Sequence, residues 1–310
     1  MNFRVPFKNF TVVIALCLFF SQTKIFAQTY KSVNISLSQG LAQSSVYSIV
    51  QDKQGFIWMA TQDGLNRYDG LQFKIFRENP FDTSTLSSSY ITALLVDHNG
   101  WLWVGTQTQG LNLYVPASSQ FRHFYSGDAN SICHNNINNI YEDASGILWV
   151  STAKGFSRIT INGNDPLTAQ LTFKNFYKLR NDNDKEEEIY VNRIYADHSN
   201  NIWVGAREGL FSLSFTNDII SKIIFFSTEN NSGISDNNIR SMCEDANGNF
   251  WIGTSGGLDI LEKSTGKIVN VFKKDKNLIN VLRTETILNL FPDAAGNLWI
   301  GTEGGGLFEL

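Results

Sequence analysis

Among the residues that could do chemistry, the carboxylates stand out first. Asp52, Asp97, Asp143, Asp197, Asp245 and Asp293 each lie six residues before a tryptophan, at Trp58, Trp103, Trp149, Trp203, Trp251 and Trp299. Six identical catalytic or stacking groups would be redundant, so a structural role is expected for both members of the pair. The Asp carboxylate suits an Asx-type turn, accepting backbone N–H groups of its own hairpin. Among the other carboxylates, the second turns of the repeats contribute Asp63, Glu208 and Glu303. A glycoside hydrolase would need two such groups facing each other about 5 to 9.5 Å apart, and a lyase would need a Tyr and a base.

The remaining chemistry is thinner. His98 and His198 each follow a repeated Asp and read as solvated loop residues, while His123 and His134 stand alone. No two histidines have helix-face metal spacing and no cysteine pair suggests zinc, so no metal site is expected. The run Asn181-Asp182-Asn183-Asp184-Lys185-Glu186-Glu187-Glu188 lacks the bend glycine of a calcium loop and reads as a solvated insertion. Cys17 lies in the leader, which leaves Cys133 and Cys243, the latter at an apolar position of the repeat. An oxidising compartment permits a disulfide between them, but the spacing does not support one. With no Gly-x-Ser-x-Gly, phosphate loop or dinucleotide fingerprint, no catalytic residue and no cofactor is assigned.

The elements that must position these residues follow from the tryptophans, which recur 45 to 54 residues apart. Three residues before each stands Gly55, Gly100, Gly146, Asn200, Gly248 or Gly296, the residue types that enter left-handed backbone cheaply. Twelve residues before it is a β-branched residue: Val46, Ile91, Ile137, Val191, Ile239 or Ile287. After it come Gly-Thr or a close variant, then a second glycine and an apolar residue. Each unit therefore reads as a β-branched strand, an Asp-x-x-Gly turn, a Trp strand, a glycine turn, a third strand and a variable outer strand such as Phe73 to Phe76. Four antiparallel strands in a repeat of about 40 to 50 residues make one blade of a β-propeller. The fold class expected is all-β, with six four-stranded blade repeats starting near residues 46, 91, 137, 191, 239 and 287.

The last repeat ends at Leu310 after its third strand. Tyr30 to Leu37 alternates apolar and polar residues ahead of the first repeat, so a six-bladed ring closed by this N-terminal strand is one expectation. Part of a seven-bladed propeller is the other. Residues 1–27 have the form of a secretory signal: Arg4 and Lys8, the apolar run Phe10 to Phe20, then Ala27 before a cut. Eleven apolar residues fall short of the roughly 18 to 20 that span a bilayer. The propeller then occupies 28–310. Its net charge, −4 with the leader, becomes more negative once that basic leader is removed, which argues against nucleic acid as a partner.

Residues 245–258, Asp-Ala-Asn-Gly-Asn-Phe-Trp-Ile-Gly-Thr-Ser-Gly-Gly-Leu, and 293–302, Asp-Ala-Ala-Gly-Asn-Leu-Trp-Ile-Gly-Thr, resemble the two-component regulator propeller repeat. The segment from Gly40 to Gly70 is similar to the first blade of the periplasmic sensor half of Bacteroidetes hybrid two-component regulators. The resemblance covers 28–310. It implies a periplasmic ligand-binding region of two seven-bladed propellers and an immunoglobulin-like domain, joined through a membrane helix to a histidine kinase. It also implies oligosaccharides as signals. The 310 residues themselves carry no second propeller, kinase motif or helix-turn-helix, so any output and any membrane contact would come from segments beyond them.

Function is then expected where the repeats differ. Loops between fourth and first strands and between second and third strands gather around the mouth of a propeller's channel. Ser48, Asn139, Arg193, Ser241 and Asn289 share one register of the first strand, with Asn138, Asn192 and Arg240 beside it; the second turns add Asp63, Gln107, Arg207 and Glu208. Amides and Arg beside Tyr47, Tyr90 and Tyr190 suit sugar hydroxyls and apolar ring faces. The ligand-binding candidates are accordingly Ser48, Asp63, Gln107, Asn139, Arg193, Arg207, Glu208, Arg240 and Asn289. The expected protein is a periplasmic sensor propeller that binds an oligosaccharide and works as a homodimer. A propeller lyase or hydrolase, and a protein-binding scaffold with a broad apolar patch, are the alternatives.

Overall fold

A computed structural model describes residues 35–180, 185–262, 265–274 and 286–310. The expected signal sequence, residues 30–34 of the expected closing strand and residues 181–184 of the acidic run lie outside the described residues. The chain divides into two units at Ile35/Ser36.

The larger unit, from Ser36 to Leu310, is a β-propeller of six blades. The first blade shows the plan: Val46–Gln51, Ile57–Thr61, Gly64–Tyr68 and Phe73–Phe76 pair antiparallel in sequence order. The first strands of the other blades are Ile91–Val96, Ile137–Glu142, Val191–Ala196, Ile239–Glu244 and Ile287–Pro292. Five blades have four strands, and the sixth has three among the described residues. Ser36, Leu37, Ser38 and Gln39 form a capped 3-10 turn rather than the end of a closing strand. The one described α-helix is a single turn, Val271–Lys274.

Each repeated position has a physical task. The glycine three before the Trp takes positive φ, as in Gly248 at 78°, and its stand-in Asn200 does the same at 61°. Glycine two after the Trp is needed for a different reason. A Cβ on Gly105, Gly205 or Gly253 would lie 2.5 to 2.7 Å from Ile137, Ile239 or Ile287 of the next blade. The threonine that follows clamps its own hairpin: Thr61, Thr106, Thr152, Thr254 and Thr302 donate from Oγ1 to the carbonyl of the next turn glycine at 2.8 to 3.1 Å.

The tryptophans fill the spaces between blades. Trp58 packs into a cluster with Ile91, Leu102, Val104 and Tyr114 of the second blade, and Trp203 stacks on Phe250 of the fifth at 4.6 Å between ring centres. Fully burying such a ring is worth about 3 kcal/mol, so these clusters are the main cohesion between sheets. The packing fades at the two outermost faces. Ile49 is 61% exposed although its register mates Leu94 and Ile194 are 6% and 3% exposed, and Phe291 on the sixth blade is also 61% exposed.

The acidic run is more structured than a solvated insertion. Glu186–Glu188 pairs with Lys178–Arg180 in a two-stranded ribbon, with Leu179 buried beneath it. His98 and His198 are solvated loop residues, as expected, with one addition. Although exposed, each hydrogen-bonds through Nδ1 to a carboxylate of the following blade, Glu142 at 2.5 Å and Glu244 at 2.6 Å. Both cysteines are buried and free. Burial pushes the Cys243 thiol up to about 12 and the Cys133 thiol above its usual value, which leaves neither a ready nucleophile.

Candidate functional site

The first strands stand innermost, and two successive positions near the start of each, polar in most blades, are used to stitch blades together. At the outer one, Thr92 Oγ1 donates to the Ile137 carbonyl, Asn138 Nδ2 to that of Val191 and Asn192 Nδ2 to that of Ile239, at 2.6 to 2.8 Å. At the inner one, Ser48 accepts the N–H of Leu94 and Ser241 accepts that of Leu290. Each such bond contributes about 1 kcal/mol net, and together they rim the central channel with committed polar groups.

Four of the nine sequence candidates meet in one cavity there. Ser48, Asn139, Arg193 and Asn289, with Tyr47, Ile49 and Thr92, line a space of about 370 Å³, within the about 300–1,000 Å³ of small-molecule sites. These residues come from five blades. Among the described residues, Arg193 is the only charged one in that lining. Its Nη1 donates to the Asn139 side-chain oxygen at 2.8 Å, in the amide orientation that also takes the Ile140 N–H, and its Nε to the Arg240 carbonyl at 3.4 Å. The guanidinium borders the channel but is enclosed by protein elsewhere, and this burial pulls its pKa down. Two of its five N–H donors are thus committed.

At the mouth, Tyr47 is half-exposed, and its ring lies 5.7 Å from that of Tyr90. Gln62 donates to both hydroxyls. The Tyr90 hydroxyl itself donates to that of Tyr47 at 3.4 Å, and this bond raises the Tyr90 pKa.

The other candidates lie apart from this cavity. Arg240 turns its Nε to Ser255 at 3.2 Å. Asp63 pairs with Arg77 at 2.8 Å, which lowers its pKa, and both are exposed. Arg207 covers the Tyr190 ring at 3.6 Å. Gln107 hydrogen-bonds through its backbone N–H to the Tyr90 carbonyl. Glu208 accepts the Tyr190 N–H and lines a second cavity of about 420 Å³ beside the acidic ribbon, with Leu179, Phe225 and Glu229. Asp63, Glu208 and Glu303, the carboxylates that an enzyme would need to converge, stand on hairpins of the first, fourth and sixth blades, and none lines the channel cavity. Sequence inspection overlooked Thr92 as a lining residue, although it holds the register of Asn138 and Asn192. No group of three His, Cys, Asp or Glu suited to a metal ion occurs among the described residues.

Known proteins place this geometry. The family model described as two component regulator propeller matches at residues 40–63, 85–108, 131–154, 233–256 and 282–304. A histidine kinase P4 of Formosa agariphila is 56% identical over 48 residues, 16% of this chain and 4% of the kinase. Among solved structures, the extracellular domain described as that of the hybrid two component system BT3049 from B. thetaiotaomicron superposes with a TM-score of 0.71. It is 26% identical, over 90% of this chain and 35% of the other. PorZ, a surface component of the type-IX secretion system of Porphyromonas gingivalis, superposes at 0.62 with 19% identity, over 86% and 38%. A catalytically inactive virginiamycin B lyase from Staphylococcus aureus superposes at 0.61 with 13% identity, over 86% and 80%. The last two share the fold alone. The chain spans about a third of the BT3049 domain's length and a small part of the kinase's.

Proposed function

Because this chain is built from two component regulator propeller repeats, we propose that it is the ligand-binding part of an extracytoplasmic sensor and that its ligand is an oligosaccharide. The observation that carries the proposal is the channel cavity. It gathers Ser48, Asn139, Arg193 and Asn289 from separate blades beside the exposed ring of Tyr47. Amide, hydroxyl and guanidinium groups suit the paired hydroxyls of a sugar, and a tyrosine face suits its apolar side. Residues from several blades touching one ligand also give a means of signalling, since a ligand that prefers one arrangement of the blades shifts the population toward it. In a dimer joined to a kinase, that shift would reach the output. A periplasmic location accords with the extracellular domains that share the fold. No described helix is long and apolar enough to cross a membrane.

Calorimetry and thermal shift of the purified propeller against a panel of oligosaccharides test the proposal. Ligand at a hundred times its Kd should stabilise the fold by about 2.7 kcal/mol. A folded propeller that responds to no member of the panel overturns it.

A further inference from the structure

The channel cavity holds one unbalanced feature. Arg193 brings a full positive charge into it, and the strands packed around it supply Ser48, Thr92, Asn139 and Asn289 to its lining but, among the described residues, no carboxylate. The next guanidinium, that of Arg240, is directed to Ser255 and does not line the cavity. Structural arginines in enclosed places are ordinarily paired, because desolvating an unpaired charge is costly. Arg193 instead has one amide oxygen and one long bond to a carbonyl, leaving three donors of a planar fork that matches oxyanions in two-point geometry.

We propose that the channel site takes an acidic oligosaccharide, with Arg193 holding a uronate carboxylate or a sulfate ester and with Asn139, Asn289 and Ser48 around it. This rests on the oligosaccharide-binding proposal above and narrows its ligand class. Asn139 has a positioning role: its side-chain oxygen fixes one Nη and so aims the other face of the guanidinium at the cavity. Thr92 and Ser48 are held by bonds to backbone groups, so the anion-binding rim is preformed and little ordering is needed on binding.

The test is isothermal titration of the intact propeller with three size-matched sugars: a trigalacturonate, a sulfated galactotriose and neutral galactotriose. At least one acidic sugar should bind about tenfold to a hundredfold tighter than the neutral one, as expected of a charge-assisted contact. Arg193→Gln should bring acidic and neutral sugars to the same affinity, and Arg193→Lys should keep part of the preference. The acidic arm that gains more from Arg193 identifies carboxylate or sulfate. Equal binding of all three sugars overturns this inference and leaves the oligosaccharide proposal standing. Binding of none overturns both. If Arg193→Gln does not fold, the unsubstituted protein decides: a preference for the acidic sugar that does not shrink between about 50 mM and 500 mM salt overturns the inference.

Discussion

The indole N–H of Trp203 donates to Asp197 Oδ2 at 2.9 Å, while Oδ1 of the same carboxylate takes the backbone N–H groups of Ser199 and Asn201. One side chain therefore closes the turn and fixes the ring that packs against the fifth blade. All six repeats make this bond, at 2.7 to 2.9 Å. Asp197→Ala would strand the buried indole N–H, at about 1–3 kcal/mol, and would take the acceptor from the more exposed backbone donors of Ser199 and Asn201. Its urea midpoint should correspond to a loss of about 2–3 kcal/mol. Trp203→Phe, which keeps most of the packing, should cost less than Trp203→Ala, for which about 3–5 kcal/mol is expected. Equal costs for the two tryptophan variants would show that the ring's bulk contributes little.

The sequence displayed the turn half of this arrangement and concealed the other. An Asp ahead of a glycine turn implies Oδ1 bonding to nearby N–H groups, because those donors are local in the chain. The indole bond needs the side-chain directions of two strands, which spacing alone does not provide. The candidate site was partly legible for the same reason. Ser48, Asn139, Arg193 and Asn289 share one register, and the propeller's approximate rotational symmetry converts shared register into shared space. Asp63, Gln107, Arg207 and Glu208 come from turns, whose directions depend on local partners such as Arg77 and Tyr190. That those turns spread over several blades could not be read from register.

Acid should weaken this fold through the repeated carboxylates. Burial opposes ionisation of Asp197 and Asp245, but their indole, amide and backbone donors outweigh it, and both pKa values lie below the ordinary 3.8. Asp293 is lowered first by its bond to Trp299. Since the folded values lie below the unfolded one, the stabilisation is complete above pH 3.8 and is lost as pH falls through the folded values. The urea midpoint should be insensitive to these groups near neutrality and decline below about pH 4. Asp245→Asn should flatten that decline.

His98 titrates in the opposite sense. Its bond to Glu142 raises its pKa above 6.5, with the charges of Glu142 and Asp97 assisting. The contribution is therefore full below pH 6.5 and fades as pH rises through the folded value. The group is exposed, so the effect on global stability is small, and proton NMR is the suitable measurement. The His98 ring should titrate above 6.5, and Glu142→Gln should bring it down. An unchanged titration in that variant would remove Glu142 as the cause.

Ile49 and Ile194 occupy the same register with opposite exposures, 61% and 3%. Ile194→Ala should cost about 2–5 kcal/mol, whereas Ile49→Ala should cost well under 1 kcal/mol. Chemical denaturation of both variants reads the difference. A large cost at Ile49 would show that its face is covered in solution.

Glycine makes the same comparison from the other side of the interface. At Gly253 an added Cβ would lie 2.6 Å from Ile287 Cγ2 and 3.0 Å from its Cβ, so Gly253→Ala must push the sixth blade away from the fifth. Overpacking of this kind costs about 1–3 kcal/mol. At Gly301, the equivalent position of the sixth blade, the nearest atoms are 3.7 Å away and belong to Asn289 of its own sheet. No positive φ is required there, so Gly301→Ala should be neutral or should stabilise by up to about 1 kcal/mol by restricting the unfolded chain. Thermal unfolding of the two variants should therefore move in different directions. A matching loss at Gly301 would mean that the outer face of the sixth blade, like the inner interfaces, is packed against a neighbour.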